Sequence, residues 1–449
     1  MGVRQMFDVV TIVKGGIYVL TKRYSGRFGQ YWRQIMESQW YDEERLRQLQ
    51  DQALRQLVAY CDAHVPYYAE LFREIGLCPE DVRTVDDLRM IPLLEKDTLR
   101  AQGELFVSRT KKRWLLRKAH TSGTTGKPLT VYRDLDNVVY EYATLQRQWL
   151  WGGLRHNDRL ATLKGEKRVP ADRNKPPFWR SSPSERKLVM SSYHLSRRNA
   201  EAYIAALRRF KPVGLEGYPS SVYALARFMA EQGLTIPLKA VFTTSETLEP
   251  RQRELIEEVF GCKVFDYYGQ AERVVAIHTC EHGSYHVLPE YGIAEFLPVP
   301  GVDQRDVYEL VGTGLHNLAM PLLRYRIGDT VELSREKCPC GRAYPTAKAI
   351  VGRRDNYLVT PSGALIGRLD HVFKGARHIV EAQMVQEVVD RVEVRIVPDS
   401  RFDSSDAEFV RRKLQERVGS RMQVTIKVVD RIPRSKTGKF RAVVSKVRS

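Results

Sequence analysis

Two segments far apart in the chain combine glycine, hydroxyl and lysine residues in patterns that suit phosphate. The first is Thr121-Ser122-Gly123-Thr124-Thr125-Gly126-Lys127-Pro128. Its glycines let backbone N–H groups approach an anion closely, and its hydroxyls add donors for phosphate oxygens. It is not a Walker A loop, which needs four residues between its glycines and a Ser or Thr after the lysine. The second is Pro433-Arg434-Ser435-Lys436-Thr437-Gly438-Lys439, close to the C-terminus. Either segment alone also reads as a polar surface turn. Together they suggest a phosphate site assembled from two lobes, an arrangement that points to carboxylate activation with ATP.

Three further segments add to this reading. Tyr267-Tyr268-Gly269-Gln270-Ala271-Glu272 follows an expected strand at 263–268. An aromatic ring at a strand end can lie on a flat base, and Glu272 can hold Mg²⁺ between phosphates. Arg324-Tyr325-Arg326-Ile327-Gly328-Asp329 ends in a carboxylate that can accept from ribose hydroxyls. Gly352-Arg353-Arg354-Asp355 falls where the composition changes and reads as an interdomain hinge. Taken singly, the first of these segments reads better as core aromatics with a surface Glu, and the second as a turn Asp. Cys280, His286, Cys338 and Cys340 have the ligand chemistry of a tetrahedral zinc site, with His278 and His282 competing for the imidazole position. Buried reduced thiols are the alternative.

The elements that must carry these residues are legible in outline. Leu46, Leu49, Ala53, Leu57 and Tyr60 recur at helical steps, and Pro66, Pro79 and Pro92 then cut the pattern short. Helices expected at 200–210 and 221–229, and between Pro250 and Gly261, alternate with short apolar runs at 240–243 and 263–268. That alternation predicts an α/β fold of layered sheets and helices. Residues 160–195, rich in Lys, Arg, Pro and Ser, read as a mobile surface excursion. After about residue 352 the text changes: Val392, Val394 and Ile396 alternate as a strand, and so do Val424, Ile426 and Val428. Ser405-Asp406-Ala407-Glu408 matches a capping box before a helix. The expected organisation is a large N-terminal domain, 1–354, and a small mobile α+β C-terminal domain, 355–449, hinged near Asp355.

Composition narrows the function classes. The net charge is +18, and residues 431–449 hold seven basic residues and no acidic one. That balance favours anionic partners such as nucleotides, coenzyme A, nucleic acid or an anionic membrane, unless it is simply a solvated basic surface. Six cysteines in 449 residues do not form a secreted disulfide scaffold. No apolar run reaches the roughly 18 residues of a membrane helix. Val9–Leu20 is broken by Lys14 and a glycine pair and lacks a clear cleavage site, so a cytoplasmic protein is expected. Lys14, Lys22 and Arg23 beside apolar residues leave room for peripheral membrane contact through the N-terminus, with a packed N-terminal helix as the alternative.

In order over nearly the whole chain, these segments resemble the adenylate-forming enzymes: acyl- and aryl-CoA ligases, luciferases and nonribosomal adenylation domains. The resemblance is strongest to the phenylacetate–CoA ligase branch and its capsule-biosynthesis relatives. It rests on Val65-Pro66-Tyr67-Tyr68, His120–Gly126 and Cys338-Pro339-Cys340-Gly341-Arg342. It implies that Thr121–Lys127 is the phosphate loop, Tyr268, Gly269 and Glu272 the adenine-and-magnesium segment, and Asp329 the ribose ligand. Arg353 and Asp355 would form the hinge signature, and Lys439 would drive adenylation. Ser245 and Glu246 would lie at the nucleotide, and Tyr218 and Pro219 at the acyl pocket. Cys280, His286, Cys338 and Cys340 would hold a structural zinc. Ala271 departs from the family, which usually has Thr or Ser there, and a hydroxyl contact to the α-phosphate is lost.

The implied activity is ATP- and Mg²⁺-dependent conversion of a carboxylic acid to an acyl-adenylate, then transfer to coenzyme A. An amine, a carrier protein or a sugar is the alternative acceptor. A non-enzymatic nucleic-acid-binding role is a remote alternative, disfavoured because no aromatic-interleaved basic repeat or reader motif is present.

Overall fold

The computed structural model describes residues 26–120, 129–165, 169–170, 173–299, 306–353, 357–361, 365–366, 369–373, 376, 378–435 and 439–447. The loop Thr121–Pro128, Arg354, Asp355 and the N-terminal basic segment therefore lie outside the described residues.

The helices are α1 (Gly26–Ser38), α2 (Glu43–His64), α3 (Pro66–Ile75), α4 (Lys96–Ala101), α5 (Leu135–Trp151), α6 (Ala200–Phe210), α7 (Pro219–Ala230), α8 (Pro250–Phe260) and α9 (Ser404–Val418). The main sheet uses β1 (Leu160–Lys164), β2 (Trp179–Ser182), β3 (Lys187–Ser191), β4 (Gly214–Gly217), β5 (Ala240–Thr244) and β6 (Lys263–Gly269). It continues through β7 (Ala276–Thr279), β8 (Tyr285–Val287), β9 (Gly292–Pro298), β10 (Val307–Gly314), β11 (Tyr325–Leu333) and β12 (Thr346–Arg353). These twelve strands run in the order β9-β10-β11-β12-β8-β7-β6-β5-β4-β1-β3-β2. The stretch β6-β5-β4-β1-β3 is parallel and the remaining pairs are antiparallel.

Parallel strands need helices on both faces, so their residues are apolar on both sides. Leu163, Leu215, Val241 and Val264 bury against Tyr203, Ile204 and Leu207 of α6 and Val222 and Leu225 of α7. On the opposite face, Leu160, Phe242 and Phe265 pack on Trp149 of α5. The helix between Pro250 and Gly261 forms as its sequence predicts. Proline opens α8, and Gly261 ends it at φ 58°, a left-handed conformation that costs glycine little.

Two expectations are corrected here. Residues 160–195 are not only a surface excursion: they supply β1, β2 and β3 of the main sheet. Their charged loops masked the short buried runs around Leu163, Leu188 and Met190. The helix α9 is capped by Asp403, not Ser405. The Asp403 carboxylate accepts from the Ser405 and Asp406 amides, and the Ser405 hydroxyl donates to the same oxygen at 2.6 Å. A shorter Ser side chain loses that competition to a neighbouring carboxylate.

The small lobe is a four-stranded sheet of β13 (Ile379–Val388), β14 (Arg391–Pro398), β15 (Gln423–Val428) and β16 (Val443–Ser445), ordered β15-β14-β13-β16. Val392, Val394 and Ile396 point inward as their alternation predicts, onto Val410 and Leu414 of α9.

Candidate functional site

The carboxyl ends of β5 and β6 gather most of the described site residues. After β5 the chain turns through Ser245, which is exposed at φ 72°, into Glu246. Glu246 Oε2 accepts from the Ser220 amide at the start of α7, at 3.0 Å. Its Oε1 accepts from the Phe440 amide at 2.6 Å. That second contact crosses from the large lobe to the C-terminal tail, at the residue next to Lys439. Enclosure of the Glu246 carboxyl pushes its pKa up, against the pull of these hydrogen bonds. In the tail, Ser435 N–H donates to the Lys439 carbonyl at 2.9 Å, and Lys439 N–H donates to Ser435 Oγ at 3.0 Å. Arg434 pairs with Glu381 and lies 4.8 Å over the Phe440 ring. Tyr218 is the N-cap of α7 and Pro219 its first residue, directly beside the Ser220–Glu246 contact.

Tyr268, at the end of β6, donates its hydroxyl to Asp329 Oδ2 at 2.7 Å. Asp329 lies opposite Arg353 in the β11–β12 pairing. Three segments widely spaced in sequence thus meet at one place. Burial, followed by the Asp329 charge, pushes the Tyr268 hydroxyl well above its ordinary range, so it remains a donor. Gly269 leaves room for the ring two residues before it: a Cβ there would lie 2.3 Å from the Tyr267 hydroxyl.

Glu272 is buried and accepts from the Tyr325 hydroxyl at 2.8 Å. Lys96 Nζ of α4 lies 3.9 Å from the same carboxylate. Sequence reasoning missed Lys96 and Tyr325 as partners of this group. They come from distant elements, and nothing near Glu272 in sequence signals them. The Ala271 carbonyl is held by the Arg133 guanidinium, with Nε at 3.1 Å. Burial, with Arg273 nearby, lowers the Arg133 pKa to about 10.

The cysteine cluster closes as its residue types predict. Ligand atoms of Cys280, His286, Cys338 and Cys340 all lie within 4.8 Å of one another. Cys280 Sγ is 3.6 Å from Cys338 Sγ, and Cys340 Sγ is 3.4 Å from His286 Nε2. Tetrahedral bond lengths near 2.1–2.3 Å give ligand–ligand edges of about 3.5–3.8 Å, so the set fits zinc. The competing histidines are resolved by geometry. His282 offers its backbone amide to Cys280 Sγ at 3.4 Å, and the His278 ring packs edge-on to Tyr267. Burial keeps His286 neutral, with its pKa lowered to about 4, and pushes the Cys280 thiol up to about 12.

Residues 358–446 match the CapK C-terminal domain family. Protein CapK of Staphylococcus aureus is 26% identical over 98% of this chain and 97% of its own length. A phenylacetate-coenzyme A ligase of Thermus thermophilus is 26% identical over 89% of this chain and 96% of its own length. Among solved structures, 2-hydroxyisobutyryl-CoA ligase in the postadenylation state superposes with a TM-score of 0.70 at 19% identity, covering 91% of each chain.

Proposed function

We propose, for a chain that belongs to the adenylate-forming superfamily on its phenylacetate–CoA ligase-like branch, that it activates a carboxylic acid with ATP and passes the acyl group to coenzyme A. The observation that carries this reading is the Glu246–Phe440 contact. It ties Phe440, the residue after Lys439, to the end of β5, the strand beside β6, which carries Tyr268.

In the first step a carboxylate oxygen of the acid attacks the α-phosphorus of ATP. The bond from that phosphorus to the bridging oxygen breaks, and pyrophosphate leaves. Negative charge grows on the phosphate oxygens, and a cation aimed at that position lowers the barrier. Lys439 is the residue proposed for this, with the Thr121–Lys127 loop donating to the phosphates. Asp329 accepts from the ribose, and Tyr268 and Gly269 line the adenine. Glu272 would hold Mg²⁺, which neutralises phosphate charge when bound. In the second step the thiol of coenzyme A loses its proton, sulfur bonds to the acyl carbon, and AMP departs. The acid anhydride is already activated, so no protein nucleophile is needed.

The second step needs Lys439 to withdraw. A swing of the small domain, 355–449, about Asp355 supplies this. Among the described residues, contacts that join the lobes include Phe440 N–H to Glu246, Arg251 at 5.7 Å from the Phe373 ring, and Thr330 Oγ1 at 2.8 Å from the Tyr357 hydroxyl.

The direct test is a panel of acids assayed for pyrophosphate release and for AMP release with and without coenzyme A. Coenzyme-A-dependent AMP release is expected. AMP release that depends instead on an amine or a sugar would move the acceptor assignment. Asp329→Ala removes the ribose acceptor and strands the Tyr268 hydroxyl. Loss of a charged hydrogen bond of about 1.5–3 kcal/mol predicts a rise in the KM for ATP of roughly 10- to 100-fold. An unchanged KM for ATP would remove Asp329 from the nucleotide site.

Cys280, His286, Cys338 and Cys340 would hold one zinc with a structural role. It would tie the β7–β8 turn to the 338–341 loop. Purified protein is expected to carry about one zinc per chain, and Cys340→Ser to lose it together with thermal stability. Metal analysis finding far less than one zinc per chain would exclude the site. No helix among the described residues is long and apolar enough to cross a membrane. A cytoplasmic enzyme touching an anionic membrane surface through Lys14, Lys22 and Arg23 fits the basic N-terminus.

A further inference from the structure

Ligands of open α/β sheets bind outside the carboxyl ends of the parallel strands. The β5 and β6 ends carry the residues assigned above to the nucleotide. The neighbouring ends, of β1 and β4, carry an ion pair that none of that chemistry uses. Lys164, the last residue of β1, places Nζ 2.7 Å from Glu216 Oε1 on β4. Their side chains keep only 21% and 11% of their exposure.

The strand register fixes which way this pair faces. Thr162, Glu216, Phe242 and Phe265 form one row across β1, β4, β5 and β6. Phe242 and Phe265 pack on Trp149, so the row faces α5. Leu163, Leu215 and Val241 face the opposite way, under α6 and α7. Tyr267, two residues beyond Phe265, reaches Glu141 of α5. The pair therefore sits on the α5 side of the strand ends, with Glu216 two residues before Tyr218 on a strand adjacent to β5. In the same row, buried Thr162 Oγ1 has no hydrogen-bond partner among the described residues.

Stability does not account for the pair. Desolvating two charges costs several kcal/mol per ion, and apolar residues of similar volume serve a fold equally well or better. Phe242 and Phe265, two of the row's other three members, show that apolar side chains fit this face.

We infer that Lys164 and Glu216 bind the body of the acid, and that this body carries a hydroxyl group. The inference rests on the activation reading above. The ammonium only donates and the carboxylate only accepts. A ligand that adds to both must accept from one and donate to the other. A hydroxyl does both, an amine protonated at neutral pH only donates, and a second carboxylate only accepts. An apolar acid would strip water from the pair and give nothing back, which is how polar sites reject apolar analogues.

The experiment compares matched acids in ATP-dependent pyrophosphate release: 3-hydroxybutyrate against butyrate, with 3-aminobutyrate, succinate and phenylacetate as further arms. Wild-type protein is expected to prefer 3-hydroxybutyrate over butyrate by about 10²-fold or more in kcat/KM. Lys164→Met and Glu216→Gln are expected to reduce that ratio to within a few-fold of one, mainly through the KM for the acid, with the KM for ATP retained. Equal use of butyrate or phenylacetate overturns the inference and leaves acid activation standing. A preference for 3-aminobutyrate or succinate, or variants that keep the hydroxyl preference, also overturns it. If no acid releases pyrophosphate, the activation reading falls and this inference falls with it. Should a variant fail to fold, the wild-type ratio alone decides.

Discussion

Replacing Lys439 with alanine is expected to lower acid-dependent pyrophosphate release by about 10²–10³-fold, the usual cost of one aimed charge at a transition state. Transfer from a supplied acyl-adenylate to coenzyme A should stay within a few-fold of wild type. The split follows from where charge develops. Only the first step builds charge on the phosphate oxygens, so only that step needs the ammonium. Ser435 and Lys439 are joined by two hydrogen bonds, and the next residue, Phe440, donates to Glu246 at the end of β5. Lys436→Ala is the control for mere basicity, because it removes an equal charge from the same tail. It should cost far less. If both lysines give equal losses, the tail acts as a diffuse basic patch. If Lys439→Ala forms acyl-adenylate at the wild-type rate, the role given to Lys439 is wrong.

A companion variant separates docking of the tail from its chemistry. Glu246→Gln keeps the shape but weakens the acceptor for the Phe440 amide. It should reduce the first step less than Lys439→Ala does, and the two together should be far from additive because they act through one contact.

The sequence made the site's local pieces readable because each rests on nearest-neighbour chemistry. Thr243–Glu246 and Tyr267–Glu272 each follow an apolar run, so a strand-end location could be inferred from the chain alone. The Cys280, His286, Cys338 and Cys340 set was readable from ligand type. The resemblance pointed to His286, and the fold shows what the competitors do instead: His278, directly across from His286 in the β7–β8 pairing, packs its ring on Tyr267, while His282 offers its amide to Cys280. Pairings between distant elements were not legible. Nothing beside Glu272 in the sequence announces Lys96 or Tyr325, and nothing beside Lys164 announces Glu216. Strands β1 and β3 were hidden because charged, proline-rich loops on either side outweighed five-residue apolar cores in any window long enough to show periodicity. The α9 cap was misplaced for a related reason. Asp403 and Ser405 are both good cap residues, and only the geometry of competing acceptors decides between them.

Breaking the buried pair of Arg147 and Glu290 is expected to cost about 3–5 kcal/mol of stability, because it leaves a charge with no counter-ion in the core. Arg147 lies on α5 with its side chain fully buried, and Glu290 is 1% exposed. The Nη1 atom is 2.5 Å from Glu290 Oε1 and also donates to the Ile35 carbonyl at 2.9 Å and the Tyr344 hydroxyl at 3.1 Å. Tyr344 in turn donates to Glu290 at 2.8 Å. One guanidinium therefore joins α1, α5 and the segments before β9 and β12. Its remaining nitrogens and Glu290 Oε2 have no hydrogen-bond partner among the described residues, so the pair is under-satisfied there. That imbalance sets the sign for the double variant. Arg147→Met alone strands the carboxylate and should lower the denaturation midpoint strongly. Adding Glu290→Met removes the stranded charge, and the double variant should recover most of the loss. Equal midpoints for the single and double variants would show that the cost lies in lost packing around Trp151 and Tyr344, which the guanidinium also faces at 5.1 and 5.7 Å. Recovery would show that α5 is anchored by charge pairing that apolar residues can replace, leaving the strand ends it covers intact.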